Sequence, residues 1–255
     1  MKRTILTALA VSVFLLLAGC GESARGGDPV MRTDAPHTFA GYPVVYLTAD
    51  VSAGGLLSAY EALEPPEGGR IGIKLSETLA NGFSWPDLTA DLIQTAGASI
   101  IESGGPETDF SGYDSTVILT HFEPDDAVGF YGTAAHMASV FARRENLKRA
   151  AGDPGGMMRY LAEQGKAASE SLSGPVLYIA LLDRWSVGDP AYGGSIAASY
   201  DPVSLDQACV DLVNMTEECQ SLAAQIAACG GVDTLTEAER TGWGSRTYAF
   251  LSIDG

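Results

Sequence analysis

The stretch that decides the fold is Asp201–Val213, with the sequence DPVSLDQACVDLV. Asp201 occupies the N-cap position of a predicted helix, and Pro202 its first helical position. Apolar side chains then recur at the spacing that places them on one buried helix face: Leu205, Ala208, Cys209, Leu212 and Val213. The pattern predicts a helix over residues 202–213, with Asp206 and Gln207 on its polar side.

Outward from this helix, short apolar runs alternate with helical patterns along the chain. The apolar runs predict strands at 44–48, 71–75, 98–101, 115–120, 176–182 and 247–253. Helical spacing predicts further helices at 55–63, 86–96, 133–147, 157–172, 217–228 and 235–241. The alternation favours an α/β fold with a layered, mainly parallel sheet flanked by helices, in one domain or in two closely packed lobes.

The N-terminal residues resemble a bacterial lipoprotein signal. Lys2 and Arg3 precede an apolar run, and the sequence Leu-Ala-Gly-Cys ends at Cys20. The run is too short to span a bilayer as a mature helix. We expect residues 1–19 to be a signal peptide and Cys20 to carry a lipid in the cell envelope, although an ordinary signal peptide is the alternative. Because residue 21 is Gly rather than Asp, the periplasmic face of the outer membrane is favoured in a host with two membranes.

The chain is strongly acidic. Its formal net charge is −17 at pH 7, and loss of Lys2 and Arg3 with the signal makes the mature form more negative. Nucleic acid and anionic lipid headgroups repel such a chain, so neither is an expected partner. Residues 20–42 are rich in Gly, Pro and charge without periodicity, which predicts a flexible tether before an α/β domain over residues 43–255.

Short motifs between residues 43 and 254 match one known family in order and at similar spacing. They are Lys74 within IKL, Glu102 within IIE, His121-Phe122, the glycine-rich run 129–132, Leu177–Ile179, Asp201–Val213 and Gly244–Tyr248. Through them the chain resembles a divergent member of the domain-of-unknown-function 362 family, whose members are often catalogued as iron–sulfur centre proteins. The resemblance implies the family's fold.

The positions that carry the family's metal chemistry differ here. Where the family continues Lys-Gly-His after the His-Phe pair, this chain has Glu123-Pro124-Asp125, and the region 187–195 lacks the family's cysteines. Iron–sulfur clusters are typically held by about four thiolates. Once Cys20 is lipidated only Cys209, Cys219 and Cys229 remain, so no cofactor is expected. In an oxidising envelope Cys209 could pair with either of the others, or be a small buried thiol on the apolar helix face.

Side chains at strand ends and in the retained motifs are candidates for a ligand pocket. Lys74, Glu102 and His121 each fall at the C-terminal end of a predicted strand, where open α/β sheets bind ligands. The two C-terminal motifs supply the remaining candidates: Asp201, Asp206, Gln207 and Arg246. We expect these side chains to converge on one cleft.

Two classes of function remain open. One is a lipid-anchored extracytoplasmic binding or accessory protein that has lost the family's cluster-ligand cysteines and basic residues, with a small ligand or a protein as its partner. The alternative is a metal-assisted or redox-related envelope enzyme that uses His121 and the carboxylates that follow it at 123, 125 and 126. A solvated acidic loop is the simpler explanation of those carboxylates, and no metal ligands are assigned.

The lipoprotein assignment predicts acylation at one residue. Cells that express the chain and are fed labelled palmitate should incorporate label into the wild type and none into Cys20→Ala, because only the Cys20 thiol accepts the diacylglycerol. Cys209→Ala serves as the matched control and should keep full labelling. Equal labelling of wild type and Cys20→Ala would contradict the assignment.

Overall fold

The computed structural model describes residues 38–66, 68–75, 100–104, 112–122, 154–182, 193–216 and 233–254, with the single positions Thr89, Leu92, Gln94, Gln220 and Ala224. The described strands are β1 (Thr38–Phe39), β2 (Tyr42–Thr48), β3 (Arg70–Leu75), β4 (Ile100–Gly104), β5 (Ser115–His121), β6 (Val176–Leu182), β7 (Ser195–Ser199) and β8 (Ala249–Ser252). The described helices are α1 (Ala53–Ala62), α2 (Pro154–Ser171), α3 (Pro202–Met215) and α4 (Asp233–Arg240). None of these helices combines the length and apolar character that a bilayer span requires.

All of these strands belong to one sheet of eight strands, in the order β1-β2-β7-β6-β5-β3-β4, with β8 paired to β2. Strands β4, β3, β5 and β6 run parallel to one another. Strand β7 is antiparallel to both β6 and β2, and β8 returns parallel to β2. The fold is therefore a layered α/β sheet, mainly parallel, as the sequence predicts.

Side chains alternate between two apolar cores, one on each face of the sheet. Ile118 and Tyr178 pack with α3, α4 and Ala162 of α2 on one side, which we call the α3 face. Val117 and Ile179 pack with α1 on the other side, which we call the α1 face. Because both faces are covered, β5 is buried at every position from Ser115 to His121.

The strand and helix predictions agree with the structure at most positions. Each predicted strand overlaps an observed one, and the helices predicted at 55–63, 157–172, 202–213 and 235–241 correspond to α1–α4. Two strands are missed, β1 and β7. Strand β1 forms a hairpin with the start of β2, so the end of the predicted tether is structured. The helices predicted at 86–96, 133–147 and 217–228, and the signal peptide, lie outside the continuously described residues.

The buried hydroxyl of Thr116 predicts an unusual stability effect. Thr116 is fully buried on the α3 face, and its Oγ1 has no hydrogen-bond partner among the described residues. Thr116→Val keeps the shape and removes a polar atom, so we expect unfolding free energy to be unchanged or to rise by about 1 kcal/mol. Urea denaturation of the purified protein measures this change.

Thr48→Val is the matched control for that substitution. The Thr48 hydroxyl donates to Asp254 Oδ1 at 2.5 Å and accepts from the Asp50 N–H at 3.0 Å. Thr48→Val should therefore lower the unfolding free energy by about 1–3 kcal/mol. Equal destabilisation by the two substitutions would show that the Thr116 hydroxyl is hydrogen-bonded after all.

Candidate functional site

Two ionisable side chains are buried near the C-terminal ends of neighbouring parallel strands. Lys74 lies one residue before the end of β3 and is 5% exposed, with its Cα opposite Ile118 of β5 and Gly104 of β4. His121 is the last residue of β5 and is 2% exposed, opposite Leu181 of β6. Neither side chain lacks an interaction partner. Lys and His are rarely so buried without a structural or functional reason.

Lys74 and His121 lie at the same edge of the sheet but on opposite faces. Lys74 shares the α3 face with Ile118, its register partner. His121 has the same parity along β5 as Val117 and Leu119, which belong to the α1 face. With one strand spacing and three residues between them, their Cα atoms are roughly 11 Å apart. A ligand that contacts both must therefore reach over the ends of the strands.

Glu102 lies on the strand next to Lys74. Its Cα is the register partner of Gly72 in β3, two residues before Lys74. The Cα atoms of Glu102 and Lys74 are therefore roughly 8 Å apart, at adjacent positions of the same sheet edge. The backbone thus places Glu102 and Lys74 at neighbouring positions of this edge.

Asp201 performs a structural task with both of its carboxylate oxygens. Oδ1 accepts from the N–H groups of Val203 and Ser204, each at 2.9 Å, which caps α3. Oδ2 accepts from the N–H of Ser245 at 3.0 Å. A Cβ at Gly244 would overlap this carboxylate, so glycine allows the close approach. The predicted N-cap is confirmed, and the carboxylate is fully engaged in holding the C-terminal segment.

Arg246 and Gln207 belong to one hydrogen-bonded network between α3, α4 and the C-terminal segment. Arg246 Nε donates to Gln207 Oε1 at 2.8 Å, and Arg246 Nη1 donates to Thr236 Oγ1 at 2.9 Å. Gln207 Nε2 donates to Asp211 Oδ1 at 2.9 Å. The Tyr248 hydroxyl donates to Asp211 Oδ2 at 2.8 Å. Burial, followed by the charge of Asp211, raises the pKa of Tyr248 and keeps that phenol neutral.

The polar side predicted for α3 is wrong. Asp206 is 0% exposed and Gln207 is 5% exposed, because the segment around Ser245 and helix α4 cover the side of α3 that faces away from the sheet. Sequence reasoning also missed Asp211 and Tyr248 as members of this network. The i, i+4 spacing of Gln207 and Asp211 is the signal that could have revealed the first of them.

The candidate residues form two separate groups instead of one cleft. His121 lies opposite Leu181 of β6, and Leu181 lies opposite Ile196 near the start of β7. Because β7 runs antiparallel to β6, its C-terminal end lies at the other edge of the sheet from His121. Two strand spacings and five residues then separate His121 from Asp201, a distance on the order of 20 Å. The expected convergence of Lys74, Glu102 and His121 with the α3 group is therefore wrong.

Cys209 is a free thiol buried on the α3 face. Burial, and then the nearby carboxylates of Asp206 and Asp211, raises its pKa well above the usual value, so the thiol stays protonated and unreactive. The interpretation of Cys209 as a small buried side chain is confirmed. Cys219 and Cys229 lie outside the described residues.

Within the described part of the chain, no three His, Cys, Asp or Glu side chains are grouped as a metal site would require. The acidic loop at 123–126, which the enzyme alternative needs beside His121, lies outside that part. The suggested cation site therefore stays a prediction.

Comparison with known proteins assigns no family. No family model and no curated protein matches the chain. One solved structure, described as "The structure of MppP soaked with the product 2-ketoarginine", is 11% identical with a TM-score of 0.25. The alignment covers 78% of this chain and 53% of that one, so the chain spans about half its length. A likeness this distant carries no argument about function, and the family resemblance stays a prediction.

The three hydrogen bonds of Asp201 predict a large cost for a small chemical change. Asp201→Asn leaves one acceptor oxygen, so it loses either the cap of α3 or the bond to Ser245. We expect the unfolding free energy to fall by about 1–3 kcal/mol in urea titrations. Asp114→Asn is the control, because the exposed Asp114 accepts the N–H of Arg70 at 2.7 Å through Oδ2, and the one amide oxygen of asparagine can keep that bond. A smaller loss for Asp201→Asn than for Asp114→Asn would contradict this role.

Proposed function

We propose that the chain is a lipid-anchored extracytoplasmic binding or accessory protein that binds a small anionic ligand at the edge where β3, β4 and β5 end. The observation that supports this most is the buried side chain of Lys74 near the C-terminal end of a parallel strand. Ligands of open α/β sheets bind in the crevice beyond these strand ends.

The burial of Lys74 is unusual for a lysine. Removing an ammonium ion from water costs several kcal/mol, and replacing such a residue with an apolar one often stabilises a fold. Its side chain lies in a row of the α3 face that is otherwise formed by Ile118 and Tyr178. Lys74 has an interaction partner within the protein, and a lysine held in this way at the end of a parallel strand is a candidate for contact with a ligand.

The position of His121 supports the same edge. Its imidazole belongs to the adjacent strand, one strand spacing from Lys74, and can donate a hydrogen bond to an anion that reaches over the strand ends. The net charge of −17 repels anions from most of the surface, so a local cation is needed to bind one. Lys74 supplies that cation.

The resemblance to the domain-of-unknown-function 362 family adds support of a different kind. Lys74, Glu102 and His121 fall on the retained motifs, while the family's cluster cysteines and the basic residues after His121 are absent. This combination favours a protein that keeps the binding edge and lacks the redox centre. Lipidation at Cys20 would hold it at the membrane, with the periplasmic face of the outer membrane favoured.

Lys74→Met tests the site directly. The mature protein in detergent is melted in the presence of a panel of small carboxylates and phosphates. An anion at 100 times its Kd adds about 2.7 kcal/mol to stability, which corresponds to a rise in Tm of roughly 5–11 °C for a domain of this size. The active anion should raise the Tm of the wild type and leave that of Lys74→Met unchanged.

Lys166→Met is the matched control. Lys166 lies on α2, where its Nζ donates to the carbonyl of Thr241 at 2.6 Å, far from the ends of β3–β5. This variant loses the same charge and some stability, and should keep the full ligand-induced rise in Tm. An anion that stabilises Lys74→Met as much as the wild type, or a panel in which none stabilises the wild type, would refute the proposed site.

A further inference from the structure

Three tyrosines and a glutamate meet at the end of the α1 face that lies away from His121. The Cα of Tyr46 in β2 lies opposite that of Ala198 in β7. Tyr200 comes two residues after Ala198, so its side chain lies on the same face of the sheet. Tyr60, near the end of α1, is 3% exposed, and the two strand tyrosines pack half-buried against the same core. Glu64 is exposed and lies one turn after Tyr60.

The backbone of Glu64 adopts a conformation that is unfavourable for a residue of its type and position. Helix α1 ends at the C-cap Leu63, and Glu64 then adopts φ of 47°, the left-handed conformation in which glycine is the usual residue. Pro65 follows, and a proline drives the residue before it towards extended conformations. Backbone strain of this kind is concentrated at functional sites.

The charge of Glu64 is also unfavourable for the helix. A carboxylate at a helix C-terminus opposes the negative end of the helix dipole, which favours cations. Glycine would remove both the strain and the repulsion. The N–H of Glu64 closes the last turn by donating to the carbonyl of Glu61 at 2.9 Å, a bond that glycine would make equally well.

The neighbouring phenols lie in a negative field. Burial, and then the charge of Glu64, raises the pKa of Tyr46. Burial, followed by Tyr60, Glu64 and Tyr46, raises the pKa of Tyr200 to about 12. The phenols therefore stay neutral at pH 7.

We propose that Tyr46, Tyr200 and Glu64 form a binding site for a small organic ammonium ion, with the buried Tyr60 in the core against which the two strand tyrosines pack. The Glu64 carboxylate supplies the counter-charge, the helix end adds carbonyl dipoles, and the half-buried rings of Tyr46 and Tyr200 offer the π faces that attract desolvated ammonium groups. The acidity of the chain also concentrates cations at its surface. The site is independent of the anion site proposed at the ends of β3–β5, because β7 carries Tyr200 to the other edge of the sheet.

Choline chloride and its uncharged isostere 3,3-dimethylbutan-1-ol are the probes. Calorimetric titration of the mature protein in detergent should show binding of choline and at least tenfold weaker binding of the isostere, since the shapes match and only the charge differs. Equal affinities for the two probes, or no binding of choline up to 50 millimolar (a practical ceiling of about this size for weak sites), would overturn the proposal.

Two substitutions at Glu64 separate binding from folding. Glu64→Gln should weaken choline binding about fivefold. Glu64→Gly should weaken binding similarly while raising the Tm, because it relieves the left-handed strain. Glu163→Gln, an exposed residue of α2 on the α3 face, removes the same charge and should leave choline binding unchanged. Unchanged binding in Glu64→Gly would overturn the proposal, and so would an equal loss in Glu163→Gln.

The ring of Tyr200 is tested by a second pair. Tyr200→Phe keeps the π face and should retain choline binding, whereas Tyr200→Leu keeps an apolar side chain without that face and should lose it. Equal binding by the two variants would contradict the part assigned to the ring.

Discussion

The carboxylate of Asp201 joins parts of the chain that are distant in sequence. The Ser199 hydroxyl donates to the carbonyl of Val44 in β2 and accepts from the Asp201 N–H, and Asp201 in turn caps α3 and binds the N–H of Ser245. The C-terminal segment then leads into β8, which pairs with β2. One side chain therefore fixes where α3 starts, where the chain crosses it, and how the last strand reaches the sheet.

The polar candidates divide according to whether the fold itself explains them. Asp201, Gln207 and Arg246 donate or accept hydrogen bonds that connect α3 to α4 and to the segment before β8. Their presence needs no ligand. Lys74 and His121 are as deeply buried and also have interaction partners, but they occupy the C-terminal ends of parallel strands, where open α/β sheets bind ligands. Their place in the sheet, rather than their burial alone, makes them the candidates for ligand contact.

The sequence predicts the fold well where local and long-range preferences agree. Asp201 and Pro202 mark the start of α3 because an N-cap acceptor and an N1 proline have the same effect in any context. The run 176–182 predicts β6 because both faces of a central strand are buried. Strand β7, with the sequence SIAAS, is missed since Ile196 is its one large apolar residue. Its two alanines lie on opposite faces of the sheet. Ala197 packs in the core on the α3 face, and Ala198 packs in the core on the α1 face.

The prediction that all candidate residues share one cleft is wrong for a reason that cannot be read from any local sequence pattern. In a fully parallel sheet, a helix that follows β7 would begin at the edge where His121 lies, and Asp201 would join it there. The reversal of β7 depends on its pairing between β6 and β2, which is set by packing across the whole sheet. That reversal carries Asp201 to the opposite edge and also brings Tyr200 beside the end of α1. The antiparallel direction of β7 therefore both separates the predicted site residues and brings the tyrosines together. Its strained member, Glu64, could be recognised only once the helix end and its φ angle were known.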